Sequence, residues 1–264
     1  MDGPNANRSM GEWGNEIRYE VSGDYNWENA TWNIDQIRHI MGFSISHRKV
    51  NRMSADQESL IPQIDNPFVE LNLRPIDLMD HIEADGLTPY EVVRLGWENQ
   101  FLTRSGEQTR RIASLHFFQD LYHKKENDGD IAKEFFASLS IQPAPWISFT
   151  GQSKINSDEG KVIRNSFSAQ FIDGTVNTLE VGYFKYLSFS DQWRLSAKHR
   201  WDERKSFHTS IAFEEESNTI PYWQTAVEFN RSAAWTWIIS VTGRKGTTKE
   251  NETELALSTR IFAF

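Results

Sequence analysis

The seven histidines, His39, His47, His81, His116, His123, His199 and His208, never stand in the His-x-x-x-His or glutamate-flanked order that presents zinc ligands together. Scattered wall or loop histidines are the plain interpretation. Asp77, Asp80, Glu83 and Asp85 form an acidic cluster that could meet a divalent cation. It lacks the Asp-x-Asp-x-Asp-Gly order of a calcium loop, so a solvated loop face is the plainer account. "SDEGK" (157–161) and "GRKGTTK" (243–249) lack the phosphate-cradling glycine order, and no Gly-x-Ser-x-Gly nucleophile elbow is present. Glu98 and Glu228 alone do not make a glycosidase pair. No catalytic residue, metal or cofactor is expected. What remains is a set of polar residues that recur on alternate positions: Arg94, Glu98, Gln100, Arg104, Arg194, Lys198, Arg200 and Glu228. Its cations could steer an anionic headgroup along a wet passage. Equally, they could pair with Glu98 and Glu228 and hold a wall together.

The elements that carry these residues read as strands. In "VVRLGWENQFLTR" (92–104), Val93, Leu95, Trp97, Phe101 and Thr103 alternate with Arg94, Glu98, Gln100 and Arg104, and only Asn99 interrupts the apolar row. Side chains of a strand point to opposite faces with period two, so one face is greasy and the other charged. The same rule holds for Trp13–Val21, Met41–Ile45, Phe135–Ile141, Ile163–Phe171, Trp193–Trp201, Phe207–Phe213, Trp223–Phe229 and Trp235–Val241. With less regular runs near 110–121, 146–155, 176–187 and 253–264, about thirteen strands of about ten residues are expected. Soluble strands average about five or six residues, whereas about nine to eleven tilted residues cross a bilayer.

Connections alternate between short turns, such as "SGEQ" (105–108), "PAP" (143–145) and "DG" (173–174), and longer polar loops. Outer-membrane barrels show that asymmetry. "SFSD" (188–191) is short for a long-loop position, and 24–37 is long for a turn. With 264 residues the chain fits one all-β domain. Its 38% hydrophobic content contains no run that could form a spanning helix, which does not exclude a barrel. Ten Trp and seventeen Phe are generous for mean hydropathy −0.60. The net charge of −9 argues against a nucleic-acid partner, and the absence of cysteine excludes disulfides. The opening "MDGPNANRSMGEWG" has no basic start or apolar stretch of a signal peptide, which a secreted or outer-membrane chain needs, so either this is not such a chain or an N-terminal part is missing.

Residues 48–89 form a loop of about forty residues, a length that is usually functional. The order around it is specific. Arg38-His39 opens a strand, "LIPQID" follows with Pro62 and Asp65, then "LRPIDLMDHIEADGL", then Arg94, Gly96, Asn99, Thr103 and Arg104. This succession over 38–120 resembles the C-terminal barrel of the LPS-assembly outer-membrane proteins, the LptD (organic-solvent-tolerance) family. The chain also stops at Phe264 after "LALSTRIFAF", and Phe262 and Phe264 resemble the terminal signal read by the barrel-assembly machinery.

The resemblance implies an antiparallel transmembrane β-barrel segment, residues 1–264, forming the C-terminal half of a larger barrel. It implies insertion of lipopolysaccharide into the outer leaflet of the outer membrane without covalent chemistry. It also implies a plug lipoprotein of the LptE kind, a periplasmic LPS bridge and a lipid bilayer as partners, with 48–89 capping the lumen. Val93, Leu95, Trp97 and Phe101 are expected to face acyl chains and the polar set to line the lumen, which leaves Asn99 badly placed. Two other functions remain open: a generic outer-membrane porin, and a soluble β-rich carbohydrate-binding protein with the aromatic rows inside.

Overall fold

The computed structural model describes residues 7–56, 73, 75–80, 89–105, 108–123, 131–187, 190–232, 235–245 and 251–261. Thirteen strands follow one another: β1 (Asn7–Asn29), β2 (Ile34–Asp56), β3 (Tyr90–Ser105), β4 (Gln108–His123), β5 (Ile131–Ala144), β6 (Ile147–Asn156), β7 (Lys161–Asp173), β8 (Asn177–Tyr186), β9 (Ser190–Asp202), β10 (Lys205–Glu214), β11 (Thr219–Ser232), β12 (Trp235–Lys245) and β13 (Asn251–Ile261). Each pairs antiparallel with its neighbour in sequence, giving one thirteen-stranded up-and-down sheet. The only helical element among the described residues is a 3-10 turn at Leu78–Asp80. The fold is all-β, with the architecture of a β-barrel wall. Among the described residues β1 and β13 do not pair with each other. Because the strand number is odd, these two run the same way, and a junction between them would be parallel.

Two expected boundaries shift. Alternation in β2 continues to Asp56, so the connection before β3 spans 57–89 rather than 48–89. The supposedly long turn at 24–37 is a four-residue turn at 30–33 between two 23-residue strands. One rim carries connections of two to four residues, the other three to seven plus the long one, a milder asymmetry than the sequence promised. The β7–β8 turn uses Gly174 at φ 53, a left-handed conformation that glycine adopts without a Cβ clash.

Among the described residues no second layer covers this sheet, and the substantial contacts between elements join only strands adjacent in the sheet. The accessible surface is 18080 Å², against about 12,000 Å² for a compact protein of this mass. Yet the two faces differ, and in the opposite sense to a soluble protein. Buried side chains belong mainly to the polar face: Ser46, Arg94, Ser114, Asp120, Lys154, Ser206, Thr236 and Thr242. Exposed ones belong to the apolar face: Ile17, Phe43, Leu95, Trp97, Phe167, Trp193, Leu195, Trp237 and Ile239. In a single layer this contrast arises when the polar face is concave, so that its side chains crowd one another, and the apolar face is convex.

All ten tryptophans are at least 38% exposed, whereas tryptophan is normally among the more buried residues of a soluble protein. Their heights are ordered. Trp27, Trp32, Trp146, Trp201, Trp235 and Trp237 lie in or close to the short turns; Trp13, Trp193 and Trp223 lie toward the other rim, and Trp97 in mid-strand. Trp193 and Trp201 share β9 eight residues apart, about 26 Å along a strand and about 20 Å along the normal of a tilted one. Membrane barrels carry aromatic girdles on either side of an apolar band of about 25 Å. Among the described residues Trp97, Trp193 and Trp237 are exposed, and no dry two-layered interior houses them.

Candidate functional site

The polar concave face is built at β3 and β4. Arg94 is 9% exposed and Asp120 2% exposed, and they form a two-pronged ion pair, Nε to Oδ1 and Nη2 to Oδ2, both 2.6 Å. The guanidinium lies over the Phe118 ring, 5.8 Å from its centroid, and Tyr122 donates its hydroxyl to Asp120 Oδ2 at 3.4 Å. Arg94 is therefore a closed, buried pair with Asp120, neither a free lumen cation nor a partner of Glu98. Glu98 instead accepts from Arg18 at 2.7 Å, with His116 Nδ1 at 3.4 Å. Lys154 and Glu134 make a third link, 3.1 Å long, between β6 and β5.

The remaining polar set divides. Gln100 is half-buried and Arg104 is exposed at the short-turn rim. Arg194 is exposed, donates to Gln192 at 3.3 Å, and lines a concavity of about 470 Å³ with Glu180, Ser196, Ser210 and Tyr222. Lys198 is exposed. Arg200 does not reach the open face: Nε and Nη2 donate to the carbonyls of Asp202 and Glu203 in its own turn. Glu228 accepts from Ser206 at 3.1 Å. A second hollow of about 440 Å³ on the same face is lined by Ser114, Ser138, Thr150, Gln152, Arg111 and Arg164.

Of the residues of the motif around the long loop, His39 on β2 and Asn99 on β3 meet. His39 and Asn99 bond, Nε2 to Oδ1, at 3.0 Å on the apolar face, and His39 stacks on Phe101 at 4.3 Å. Asn99 is only 5% exposed; histidine supplies a partner for its Oδ1 in the greasy row, while its Nδ2 is buried with no hydrogen-bond partner among the described residues. Thr103 donates to the carbonyl of Gln36 at 2.7 Å and accepts the Asp35 N–H at 3.0 Å. It thereby closes the bulge where Gln36 stands at φ 57. Gly96 lies so close to Ser44 and the Phe118 ring that a Cβ there would collide. Arg38 is exposed, 3.8 Å from Asp24. Pro62, Asp65, Phe262 and Phe264 lie outside the described residues.

The end of the long connection meets the concave face. Arg48 pairs with Asp77 and, at 3.4 Å, with Glu12. Glu12 also accepts the Leu78 N–H at 2.7 Å, and Tyr90 donates to the Ile76 carbonyl at 2.8 Å. Ile76, Val50 and Val92 are all buried at this height. Asp77 of the acidic cluster is thus held by arginine, Asp80 is exposed, and Glu83 and Asp85 lie outside the described residues. Sequence reasoning missed Arg48, Glu12, Asp120 and Arg18, and read His116 only as one of the scattered wall or loop histidines. The signal for Arg48 was available: it is a cation facing inward beside a loop rich in carboxylates.

No family model matches the chain, and no curated protein matches it. Among solved structures, one reported under "Asymmetric conductivity of engineered proteins" aligns over 97% of this chain and 99% of its own, with 9% identity and TM-score 0.39. Two triple mutants of the Rhodopseudomonas blastica porin each align over 97% of this chain and 100% of theirs at 8% identity, with TM-scores 0.39 and 0.38. Similarity at this level says nothing about what passes or binds.

Proposed function

We propose that the chain forms the wall of an outer-membrane β-barrel channel, with hydrophilic solutes moving along its polar concave face. The observation that carries this is the inverted burial: every tryptophan stands exposed on or beside the convex face, in tiers, while arginine and aspartate are buried on the other. Water on the convex face would leave this large apolar area unburied, at a cost of roughly 25 cal/mol per Å². Acyl chains remove that cost, and a wet lumen tolerates the opposite face. The segment at Ile76–Asp80, tied to Arg48, Glu12 and Tyr90, narrows the passage at the rim of longer loops. The test is conductance of the full chain in a planar bilayer. Stepwise ion currents support the proposal; a detergent-free monodisperse monomer without conductance contradicts it.

A second reading is favoured by one observation, the direct contact of His39 with Asn99 and the closing of the β2 bulge by Thr103. These join residues whose order resembles the LPS-assembly family. On this reading the barrel inserts lipopolysaccharide into the outer leaflet, together with a plug lipoprotein, a periplasmic bridge and the assembly machinery. Accumulation of newly made lipopolysaccharide at the cell surface in cells expressing or depleted of the protein separates the two. Depletion with unchanged surface lipopolysaccharide excludes the second reading.

A further inference from the structure

We propose that the convex face at the short-turn rim, between β10 and β12, binds one anionic phospholipid; this rests on the membrane placement above. A cleft of about 460 Å³ opens there with an apolar floor of Phe229, Trp237 and Ile239 and a cationic border of Arg204, Lys205 and Arg231. The register makes the floor continuous, since Lys205 pairs with Phe229 and Phe229 with Trp237. Two irregularities build the border. β9 and β10 slip so that Trp201 has no opposite number, and β11 and β12 slip so that Arg231 has none. Bulges of this kind re-aim a side chain, here an indole and a guanidinium at the same rim.

The chemistry selects the ligand. An acyl chain fits along the phenyl and indole floor, and a phosphate suits guanidinium and ammonium donors through charge-assisted hydrogen bonds. Trp201 and Trp235, both exposed, stand at the height where amphipathic rings meet headgroups. Of the two nearby carboxylates, Asp202 is engaged in the turn. Asp202 Oδ1 accepts the Arg204 N–H at 2.7 Å, and its other oxygen is 3.9 Å from Lys205, with both side chains about half exposed. Such an open pair contributes little. Arg204 and Arg231 are exposed, so three cations outnumber Asp202 and Glu203 on a chain of net charge −9. A soluble phosphate would have no use for the floor.

The full chain is reconstituted in vesicles of phosphatidylethanolamine with a minority of phosphatidylglycerol, and lipid retained by the protein is read by native mass spectrometry. Wild type is expected to enrich phosphatidylglycerol. Arg204→Gln, Lys205→Gln and Arg231→Gln together abolish that enrichment, at roughly fivefold per cation lost. Arg244→Gln at the far rim leaves it unchanged, and millimolar glycerol phosphate does not displace the lipid. Equal retention of both lipids by wild type, full enrichment in the triple variant, or displacement by glycerol phosphate each overturns the site. Tryptophan quenching by brominated lipid, measured on the same vesicles, separates the two claims. Quenching without enrichment removes the site alone, whereas absent quenching in wild type removes the membrane placement and the site with it. If the triple variant fails to insert, Arg231→Gln alone is read, and unchanged enrichment there overturns the site.

Discussion

Arg94 and Asp120 face each other across β3 and β4 in a buried pair whose two hydrogen bonds are both 2.6 Å long. Removing one partner of such a pair leaves the other charge uncompensated, at about 3–5 kcal/mol. Asp120→Ala is therefore expected to lower stability by that amount in urea titration of the detergent-solubilised or lipid-embedded protein. Replacing both residues by leucine should cost clearly less. A loss under about 1 kcal/mol from Asp120→Ala would show that the pair is not closed off from water.

That pair also shows where the sequence stops being legible. Alternation alone gave strand type, strand number and the two faces, because period two is local to each segment. Pairing is not local. With β3 ending at Ser105 and β4 beginning at Gln108, an unbroken pairing from those two residues would set Arg94 opposite Gln119. The register slips between Phe101 and Leu102, leaving Ile112 as an extra residue on β4 and moving the partner to Asp120. The same bulge makes 110–121 read as irregular. The Arg48 latch was legible as an inward cation beside a carboxylate-rich loop, but its partners were not, for a related reason. It joins Glu12, Asp77 and Arg48, which only the three-dimensional return of a long connection brings together. The lumen cations were legible as a face and not as partners.

The His39–Asn99 contact separates the two functional readings. Asn99→Leu strands His39 on the apolar face and should cost about 1–3 kcal/mol, whereas His39→Phe with Asn99→Leu replaces both polar groups and should be nearly neutral. The double variant is expected to conduct like wild type if the wall is only a channel. Loss of lipopolysaccharide insertion with conductance and stability intact would assign the pair to glycolipid handling.

Gly243 sits beneath the indole of Trp223, its cross-strand partner, with no room for a Cβ. Gly243→Ala should destabilise by about 1–3 kcal/mol through overpacking, and Trp223→Ala in the same chain should remove that penalty. Urea midpoints of the four proteins check this; strict additivity would contradict the contact.

Arg48 holds the segment at Ile76–Asp80 against the concave face through Asp77, with Glu12 bound to both. Arg48→Ala is expected to raise single-channel conductance, and Arg48→Lys, which keeps the charge without the planar fork, should fall between. Identical currents in all three proteins would mean that this segment does not narrow the passage.

The absence of native cysteine permits the most direct test of which face meets lipid. Leu195 and Ser196 are neighbours on opposite faces of β9, Leu195 at 42% exposure and Ser196 half-buried. In vesicles, Leu195→Cys should resist a water-soluble thiol reagent while Ser196→Cys reacts, the reverse of their exposure in the bare chain. Faster labelling at Leu195→Cys than at Ser196→Cys would place the convex face in water and contradict the membrane assignment.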